Sequence, residues 1–235
     1  MDLAMHYLPN AKTQKQTFML DLCEKQTSIG LVKGDRPIPD VLLCSPEVVQ
    51  KLTEQEVKVF VQRGYASHTR LTDMDYANAG AEIVENFIDL SASAKILLKF
   101  SPFTNDELQH IHEDQIVVSR VVISELTTKY LDLLIEKKAF AIAINLITDR
   151  DNWSMLDNIL ISSANAEIMN KRLSLFILPL LEALVSSKNF RAVVQTNPAL
   201  LQSIYCFKGV LCNKEIADRL DVMWKDILSL CLDLN

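Results

Sequence analysis

Glycine is scarce in this sequence of 235 residues, and its scarcity excludes two common nucleotide-binding loops. The five glycines are Gly30, Gly34, Gly64, Gly80 and Gly209. A dinucleotide-binding GxGxxG turn and a phosphate-binding P-loop both need closely spaced glycines, because the backbone must approach the phosphates. No set of these glycines has the spacing of either loop. We therefore predict no cofactor for the chain on its own.

Cysteine pairs with metal-binding spacing are also absent. The sequence has five cysteines, an odd number, and none forms a Cys-x-x-Cys pair. Structural zinc sites require such spacing, so we predict no metal site. Unpaired thiols in odd number are typical of a reducing compartment, and we expect a cytoplasmic protein.

Basic clusters and long apolar runs are missing as well. The net charge is −6, and no stretch concentrates the lysines and arginines. Nucleic acids and anionic membranes attract basic surfaces, so neither is expected as a partner. The most apolar stretch, Leu173–Val185, is far shorter than the ~20 residues of a spanning helix. The N-terminus has no basic start followed by an apolar core, so no signal peptide is expected.

Short apolar runs alternate with helical patterns through residues 28–152. The alternation predicts strands at Ser28–Val32, Val57–Val61, Lys95–Phe100, Gln115–Val122 and Phe140–Ile147. Strand and helix in turn at this spacing indicate βαβ units and a mostly parallel sheet. Nearly continuous apolar strands favour a sheet that is covered on both faces. The predicted fold class is therefore α/β: a three-layer, Rossmann-like sheet of about five strands.

The helical pattern is continuous in the last third of the chain. No strand is predicted after Trp153, and the C-terminal helices are expected to pack back on the sheet. We predict an N-terminal extension (1–27) and one domain (28–235), made of an α/β part (28–152) and a helical part (153–235). The main helices predicted are Pro46–Thr53, Thr72–Asn86, Thr104–His112, Glu125–Lys137, Ser163–Phe176, Pro179–Ser187, Asn189–Gln195 and Asn213–Arg219.

Five stretches carry a family resemblance. The most specific is Asp73–Val84, with the sequence DMDYANAGAEIV. The others are Ser28–Asp35 (SIGLVKGD), Cys44–Leu52 (CSPEVVQKL), Leu97–Leu108 (LLKFSPFTNDEL) and the C-terminal stretch Ile177–Asp221. Together they resemble the alanine dehydrogenase family, which shares its N-terminal domain with the nicotinamide nucleotide transhydrogenases. The resemblance extends over residues 28–230.

The resemblance implies that one part of the family's enzymes is missing here. In the family, a dinucleotide-binding domain lies between the N-terminal α/β part and the C-terminal helices. In this sequence only residues 153–177 connect the two. The chain thus looks like the family's catalytic domain without its nucleotide domain.

The resemblance also implies that three reactive side chains are replaced. The family uses an arginine to bind the substrate carboxylate, and a lysine and a histidine to polarise and protonate the keto oxygen. These positions fall at Val41, Phe100 and Val122, which are all apolar. A one-residue gap would instead place Lys99 on another lysine of the family motif. Strand alternation should put Lys99 and Phe100 on opposite faces of the sheet.

Five polar residues are candidates for an anion pocket at the carboxyl edge of the sheet, where α/β domains bind ligands. They are Lys33, Arg36, Lys99, Arg120 and Asn145. Arg36, in the loop GDRPIPD, could substitute for the arginine that is replaced at Val41.

The sequence therefore predicts a pseudoenzyme that acts by binding, regulation or assembly. One route is assembly with itself or with a full-length dehydrogenase through the apolar stretch Phe176–Val185. A second is a retained pocket for a small carboxylate. A third is residual oxidoreductase activity on a small 2-oxo acid, with a nucleotide domain supplied in trans.

Overall fold

A computed structural model describes residues 28–35, 41–148, 153–185 and 198–232. The predicted N-terminal extension, the predicted helix Asn189–Gln195 and Arg36 lie outside these residues. The strands are β1 (Ser28–Leu31), β2 (Lys58–Gln62), β3 (Glu82–Val84), β4 (Ile96–Leu98), β5 (Ile116–Ser119), β6 (Phe140–Ala143), β7 (Ile204–Phe207) and β8 (Val210–Leu211).

The helices of the described residues connect these strands and follow β6. They are α1 (Pro46–Glu54), α2 (Asp73–Asn78), α3 (Phe87–Ser93), α4 (Asn105–Gln109), α5 (Thr128–Glu136), α6 (Met155–Ser162), α7 (Ala166–Val185), α8 (Pro198–Ser203), α9 (Lys214–Leu220) and α10 (Ile227–Leu232). Short 3₁₀ turns occupy Ile123–Glu125 and Ile144–Leu146.

The eight strands of the described residues form one sheet in the order β3-β2-β1-β4-β5-β6-β7-β8. The first six are parallel, and β7 and β8 add to the β6 edge in antiparallel orientation. Order 3-2-1-4-5-6 is that of a doubly wound Rossmann-type sheet. The predicted α/β class and mostly parallel sheet are confirmed, but the prediction of about five strands is wrong.

Strand β3 was missed because its residues continue an apparent helical pattern. The prediction of one helix over Thr72–Asn86 is wrong, since α2 ends at Asn78. Gly80 has a φ of +94°, which a continuing helix does not allow, and a Cβ there would lie 3.0 Å from the Thr53 side chain. The chain turns at this glycine and enters the sheet beside β2.

The sequence does not predict β8, which has only two residues, or β7, which follows α8 directly without a break in the apolar pattern. They form a hairpin whose two-residue turn, Lys208 and Gly209, has positive φ at both positions (50° and 72°). This is the backbone of the turn type that joins antiparallel strands most readily. The prediction that no strand follows Trp153 is therefore wrong. All four residues of β7 are buried.

Helices cover both faces of the sheet, as predicted. One apolar cluster, the α7 face, joins the sheet to α1, α2, α6 and α7, with α8 and α10 at its margin. The other, the α5 face, joins the sheet to α3, α4, α5 and α9. The C-terminal helices therefore do pack back on the sheet.

Helix α7 is one helix of 20 residues, where the sequence predicts two that meet at Pro179. Proline removes one backbone donor from a helix, and here the carbonyl without a donor belongs to Leu175. Leu175 is 67% exposed, so water can supply the missing hydrogen bond. The same helix buries Ile177, Leu181 and Leu184 almost completely. The apolar stretch Phe176–Val185 is therefore mainly core, which removes the feature that suggested it as an assembly surface.

Candidate functional site at the carboxyl edge of the sheet

Four of the predicted pocket residues lie at one edge of the sheet. Lys33 follows β1, Lys99 follows β4, Arg120 follows β5 and Asn145 follows β6. Carboxyl ends of parallel strands share an edge, and ligands of doubly wound domains bind there. The strand order reverses between β1 and β4, so Lys33 and Lys99 border the switch point. The fifth residue, Arg36, lies outside the described residues.

Lys99 is fully buried and makes three charge-assisted hydrogen bonds. Its Nζ donates to Asp35 Oδ2 at 2.6 Å and to Glu107 Oε1 and Oε2 at 2.8 and 2.7 Å. The ring of Phe103 lies below the ammonium group, 5.8 Å from Nζ to the ring centroid. A buried ammonium group needs such partners, because an unpaired charge in the core is costly.

Glu107 is held in place by the start of α4. Thr104 and Glu107 form a reciprocal capping box, in which the Thr104 backbone donates to Glu107 Oε2 at 2.7 Å. The Glu107 backbone in turn donates to Thr104 Oγ1 at 3.1 Å. One carboxylate therefore both caps the helix and pairs with Lys99. The T-x-x-E pattern could have indicated this role of Glu107 from the sequence.

The other partner of Lys99 comes from the loop after β1. The Asp35 side chain is 53% exposed, whereas that of Glu107 is 14% exposed. The ammonium group thus joins the α4 start to the β1 loop, across the point where the strand order reverses. With two carboxylates on one lysine, this group of three side chains carries one net negative charge.

Lys33 presents an exposed side chain at the same switch point. Its backbone N–H donates to Gln62 Oε1 at 2.9 Å, which fixes the chain after β1 against the end of β2. Its Nζ lies 3.4 Å from the position that a Cβ on Gly64 would occupy. The glycine therefore leaves room for the lysine to cross the end of β2.

Asn145 uses its side-chain amide on the backbone of the neighbouring strand end. Its Oδ1 accepts from Val121 N at 2.8 Å, and its Nδ2 donates to Val121 O at 2.9 Å. This pair continues the β5–β6 ladder beyond the strands. The amide is thereby committed to holding the strand ends together.

Arg120 has one side-chain acceptor among the described residues. Its Nη2 lies 3.3 Å from Asp157 Oδ1, in the first turn of α6, and both side chains are about a third exposed (36% and 37%). Its Nε is buried, and no acceptor in the described residues reaches it. Arg120 thus keeps part of its hydrogen-bonding capacity unused.

The three apolar residues that the resemblance assigns to the family's reactive positions are buried or half-buried. Val41 is 6% exposed, and its carbonyl oxygen lies 2.7 Å from His68 Nε2. Phe100 packs against the α7 face, whereas Lys99 points to the α5 face, as strand alternation predicts. Val122 is half-buried. None of these side chains can donate a proton or bind a carboxylate.

Two buried tyrosines shape the loop before α1, and no functional signal in the sequence pointed to either. Tyr76 Oη donates to the Cys44 carbonyl at 2.8 Å, and the Cys44 backbone donates to Tyr65 Oη at 3.3 Å. The two rings meet edge to face at 5.5 Å. Burial raises the pKa of both phenols, so they remain neutral hydrogen-bonding groups.

The buried thiols offer no reactive group to this edge. Cys44, Cys206 and Cys212 are all buried. Burial raises the pKa of Cys206 to about 12, which keeps the thiol protonated and unreactive.

Across the described part of the chain, no three His, Cys, Asp or Glu side chains converge on a point where a metal ion could be held. No helix in the same residues has the length and apolar character needed to cross a bilayer.

The strand order and the carboxyl edge define a doubly wound α/β domain. The family described as alanine dehydrogenase/PNT, N-terminal domain, matches residues 43–166, and the chain belongs to this family. The family resemblance of the sequence is thereby confirmed over residues 43–166, whereas its extent over residues 28–230 stays a prediction. No curated protein matches the sequence at a significant level.

Two solved structures are similar to part of this chain, and the first supports the fold. A structure of L-alanine dehydrogenase matches with a TM-score of 0.52 and 21% sequence identity, covering 57% of this chain and 37% of that chain. A transhydrogenase from Sinorhizobium meliloti matches with a TM-score of 0.46 and 20% identity, covering 52% and 36%. The chain therefore spans little more than a third of the length of the dehydrogenase that it resembles.

Proposed function

We propose that this chain is a non-catalytic member of the alanine dehydrogenase/PNT N-terminal domain family that acts by binding. The observation that carries the proposal is the commitment of Lys99 to Asp35 and Glu107 at the switch point. A lysine that polarises a keto oxygen needs a free N–H directed at the substrate. Here all three directions of the ammonium group are taken by carboxylate oxygens.

The neighbouring residues support the same proposal. Valine and phenylalanine at positions 41, 100 and 122 can supply neither a carboxylate anchor nor an acid. The chain between β6 and β7, where the family resemblance would place a nucleotide domain, is occupied by α6, α7 and α8 in the described residues. Hydride transfer by this chain would need its cofactor site, its anchor and its acid from elsewhere.

A nicotinamide absorbance assay tests the proposal directly. The protein is mixed with pyruvate, ammonium and NADH, alone and together with a separately expressed dehydrogenase nucleotide domain. We expect no NADH oxidation above the rate without protein, while a full-length alanine dehydrogenase serves as positive control. Oxidation that rises in proportion to this protein would overturn the proposal and favour residual oxidoreductase activity in trans.

The binding role has two forms that we propose to separate by native mass spectrometry of the protein from its own host. One form is assembly with itself or with a full-length dehydrogenase, and the other is a small carboxylate ligand. A multiple of the chain mass or a second subunit would support the first form, and a small added mass the second. A bare monomer would remove both tight complexes.

We also propose a cytoplasmic location for the protein, because buried thiols are typical of a reducing compartment.

A further inference from the structure

Exposed apolar side chains are concentrated on α6, on α7 and just before them. Nine large apolar side chains are exposed in the described residues, and five of these lie in the span 153–175. Single apolar residues scattered over a surface are normal, whereas a concentration of them marks an interaction site. The five side chains are Trp153, Met155, Ile161, Ile168 and Leu175, of which Ile161 is 85% exposed and Leu175 67%.

One contact shows that three of these side chains are neighbours. Arg172 of α7 reaches the end of α6, where its Nη1 donates to Ser162 Oγ at 2.8 Å. Ile161 precedes this serine in the chain. Ile168 and Leu175 lie one helical turn before and after Arg172. The three apolar side chains therefore surround the contact between the two helices.

A line of outward residues runs along α7. Its members are three or four positions apart, and this spacing places them on one side of a helix. The opposite side contains Leu173, Ile177 and Leu181, which are buried. Helix α7 thus buries one side and presents a second, partly apolar side to solvent. This line, the outer stripe, consists of four exposed residues and one half-buried glutamate: Ile168, Lys171, Leu175, Pro179 and Glu182.

The charges of the outer stripe are separated along the helix. Lys171 lies in its first half and Glu182 in its second half, about 16 Å apart along the axis at 1.5 Å per residue. Gln55 Nε2 donates to Glu182 Oε1 at 2.9 Å, which holds this carboxylate at the surface. The two charges are too far apart to pair within one chain. An antiparallel copy of α7 brings each of them beside the other.

We propose that the outer stripe binds a second copy of this chain, with the two α7 helices antiparallel around a twofold axis at Leu175. This inference rests on the proposed binding role, and it names the partner and the surface. Leu175 contacts Leu175 of the partner subunit, because a residue on a twofold axis meets its own copy. Ile168 lies within about 5 Å, measured along the helix, of Pro179 of the partner subunit. Lys171 lies within the same distance of the partner subunit's Glu182.

The charges favour this axis over another that would also join apolar residues. An axis midway between Ile168 and Leu175 would pair these two residues across the interface. It would also place Lys171 beside Arg172 of the partner subunit, and like charges in contact are unfavourable across an interface. At the Leu175 axis each lysine meets a carboxylate instead. The charge pattern therefore selects a second copy in one orientation.

The length of the two helices sets the expected affinity. Helix α7 has 20 residues and is about 30 Å long, and α6 has eight and is about 12 Å long. Their outer surface is smaller than the ~800 Å² that each partner contributes to a standard interface. We therefore expect a reversible dimer that dissociates at micromolar concentrations.

Analytical ultracentrifugation of the full chain, over the low to high micromolar range with a thiol reductant, measures this dimer. We expect the mass to rise from 26.6 kDa toward twice that value with concentration. Leu175→Glu makes two carboxylates face each other at the axis and should weaken dimerisation about a hundredfold. The matched control, Met223→Glu, changes a 92% exposed side chain beside the α5 face and should dimerise as the wild type does. Circular dichroism confirms that both variants are folded.

Reversal of the two charges tests the antiparallel orientation. Lys171→Glu and Glu182→Lys should each weaken dimerisation about tenfold, because each places like charges together at both ends of the interface. The double variant restores both pairs and should recover the wild-type dissociation constant. A wild-type chain that stays monomeric, a dimer that Leu175→Glu leaves intact, or a double variant without recovery would overturn the inference.

The same sedimentation experiment distinguishes this partner from the other one proposed. Association with an added full-length alanine dehydrogenase, in place of self-association, would assign the outer stripe to that enzyme and overturn the inference. All of these results would leave the proposed lack of catalysis standing. NADH oxidation in the preceding assay would contradict that lack of catalysis and leave the dimer unaffected.

Discussion

Lys99 and Arg120 occupy equivalent places at the ends of neighbouring strands, yet the protein uses them in opposite ways. Lys99 lies on the α5 face, is fully buried and has three carboxylate oxygens within 2.8 Å. Arg120 lies on the α7 face, is partly exposed and has one carboxylate oxygen at 3.3 Å. The residue type alone therefore does not tell whether a cation is available to a ligand. The number and geometry of its internal partners decide this.

The difference has a structural consequence. The Lys99 group connects two segments that are far apart in sequence, the loop after β1 and the start of α4. Arg120 and Asp157 connect a strand end to α6 through a single long contact. We expect the first group to contribute more to stability than the second, whose half-exposed ion pair is screened by water.

Replacement of Lys99 should have the largest effect. Lys99→Met leaves two carboxylates facing each other at the switch point without their cation. Breaking a buried ion pair in this way costs about 3 kcal/mol of the free energy of unfolding. Urea denaturation measures this loss, and the exposed Lys33→Met is the matched control, with an expected change of less than about 0.5 kcal/mol. Equal stability of both variants would show that the Lys99 contacts are not structural.

The two carboxylates of this group should differ in the same experiment. Glu107→Gln loses two charged contacts and weakens the helix cap, at about 2 kcal/mol. Asp35→Asn affects a half-exposed side chain and should cost at most about 1 kcal/mol, because water screens the pair. The reverse order would mean that the β1 loop, rather than the start of α4, is the main support of Lys99.

The paired hydrogen bonds from Arg63 to Glu85 should give the smallest and most local effect. Hydrogen bonds from Arg63 lower the pKa of Glu85, and the carboxylate form is therefore favoured in the folded protein. The stabilisation is present above the unfolded pKa of Glu85 and is lost as the pH falls through the folded value. In Arg63→Met the Glu85 pKa should rise toward its ordinary value, which carboxyl ¹³C NMR can follow. The same pKa should not move in Arg120→Met.

Much of the fold could be predicted from local sequence patterns. The apolar runs at β1, β2, β4, β5 and β6 predicted these parallel strands, because each run in the sequence is long enough to be distinguished from a helical pattern. Strand β8 has two residues, too few for a periodic signal, and the residues of β3 continue the helical pattern of α2. Pro179 suggested a boundary between two helices. The helix continues through it, because the Leu175 carbonyl that loses its donor lies at an exposed position.

The candidate site was less predictable, because its decisive contacts join distant residues. Lys99 and Arg120 were both identified as cations of the carboxyl edge. Their partners Asp35 and Asp157 are 64 and 37 positions away, and nothing local marks them. Only Glu107, eight positions from Lys99, had a visible signal, the capping pattern with Thr104. The sequence therefore indicated which cations lie at the edge but not which one is free.

At the switch point, the carboxylates of the protein itself satisfy the Lys99 ammonium group. The side-chain ¹⁵N resonance of this group can be followed in a titration with pyruvate at constant ionic strength. We expect a signal that is protected from exchange with water and does not move as pyruvate is added. A saturable shift of that signal, which Asp35→Asn strengthens, would show instead that Lys99 is open to a substrate carboxylate.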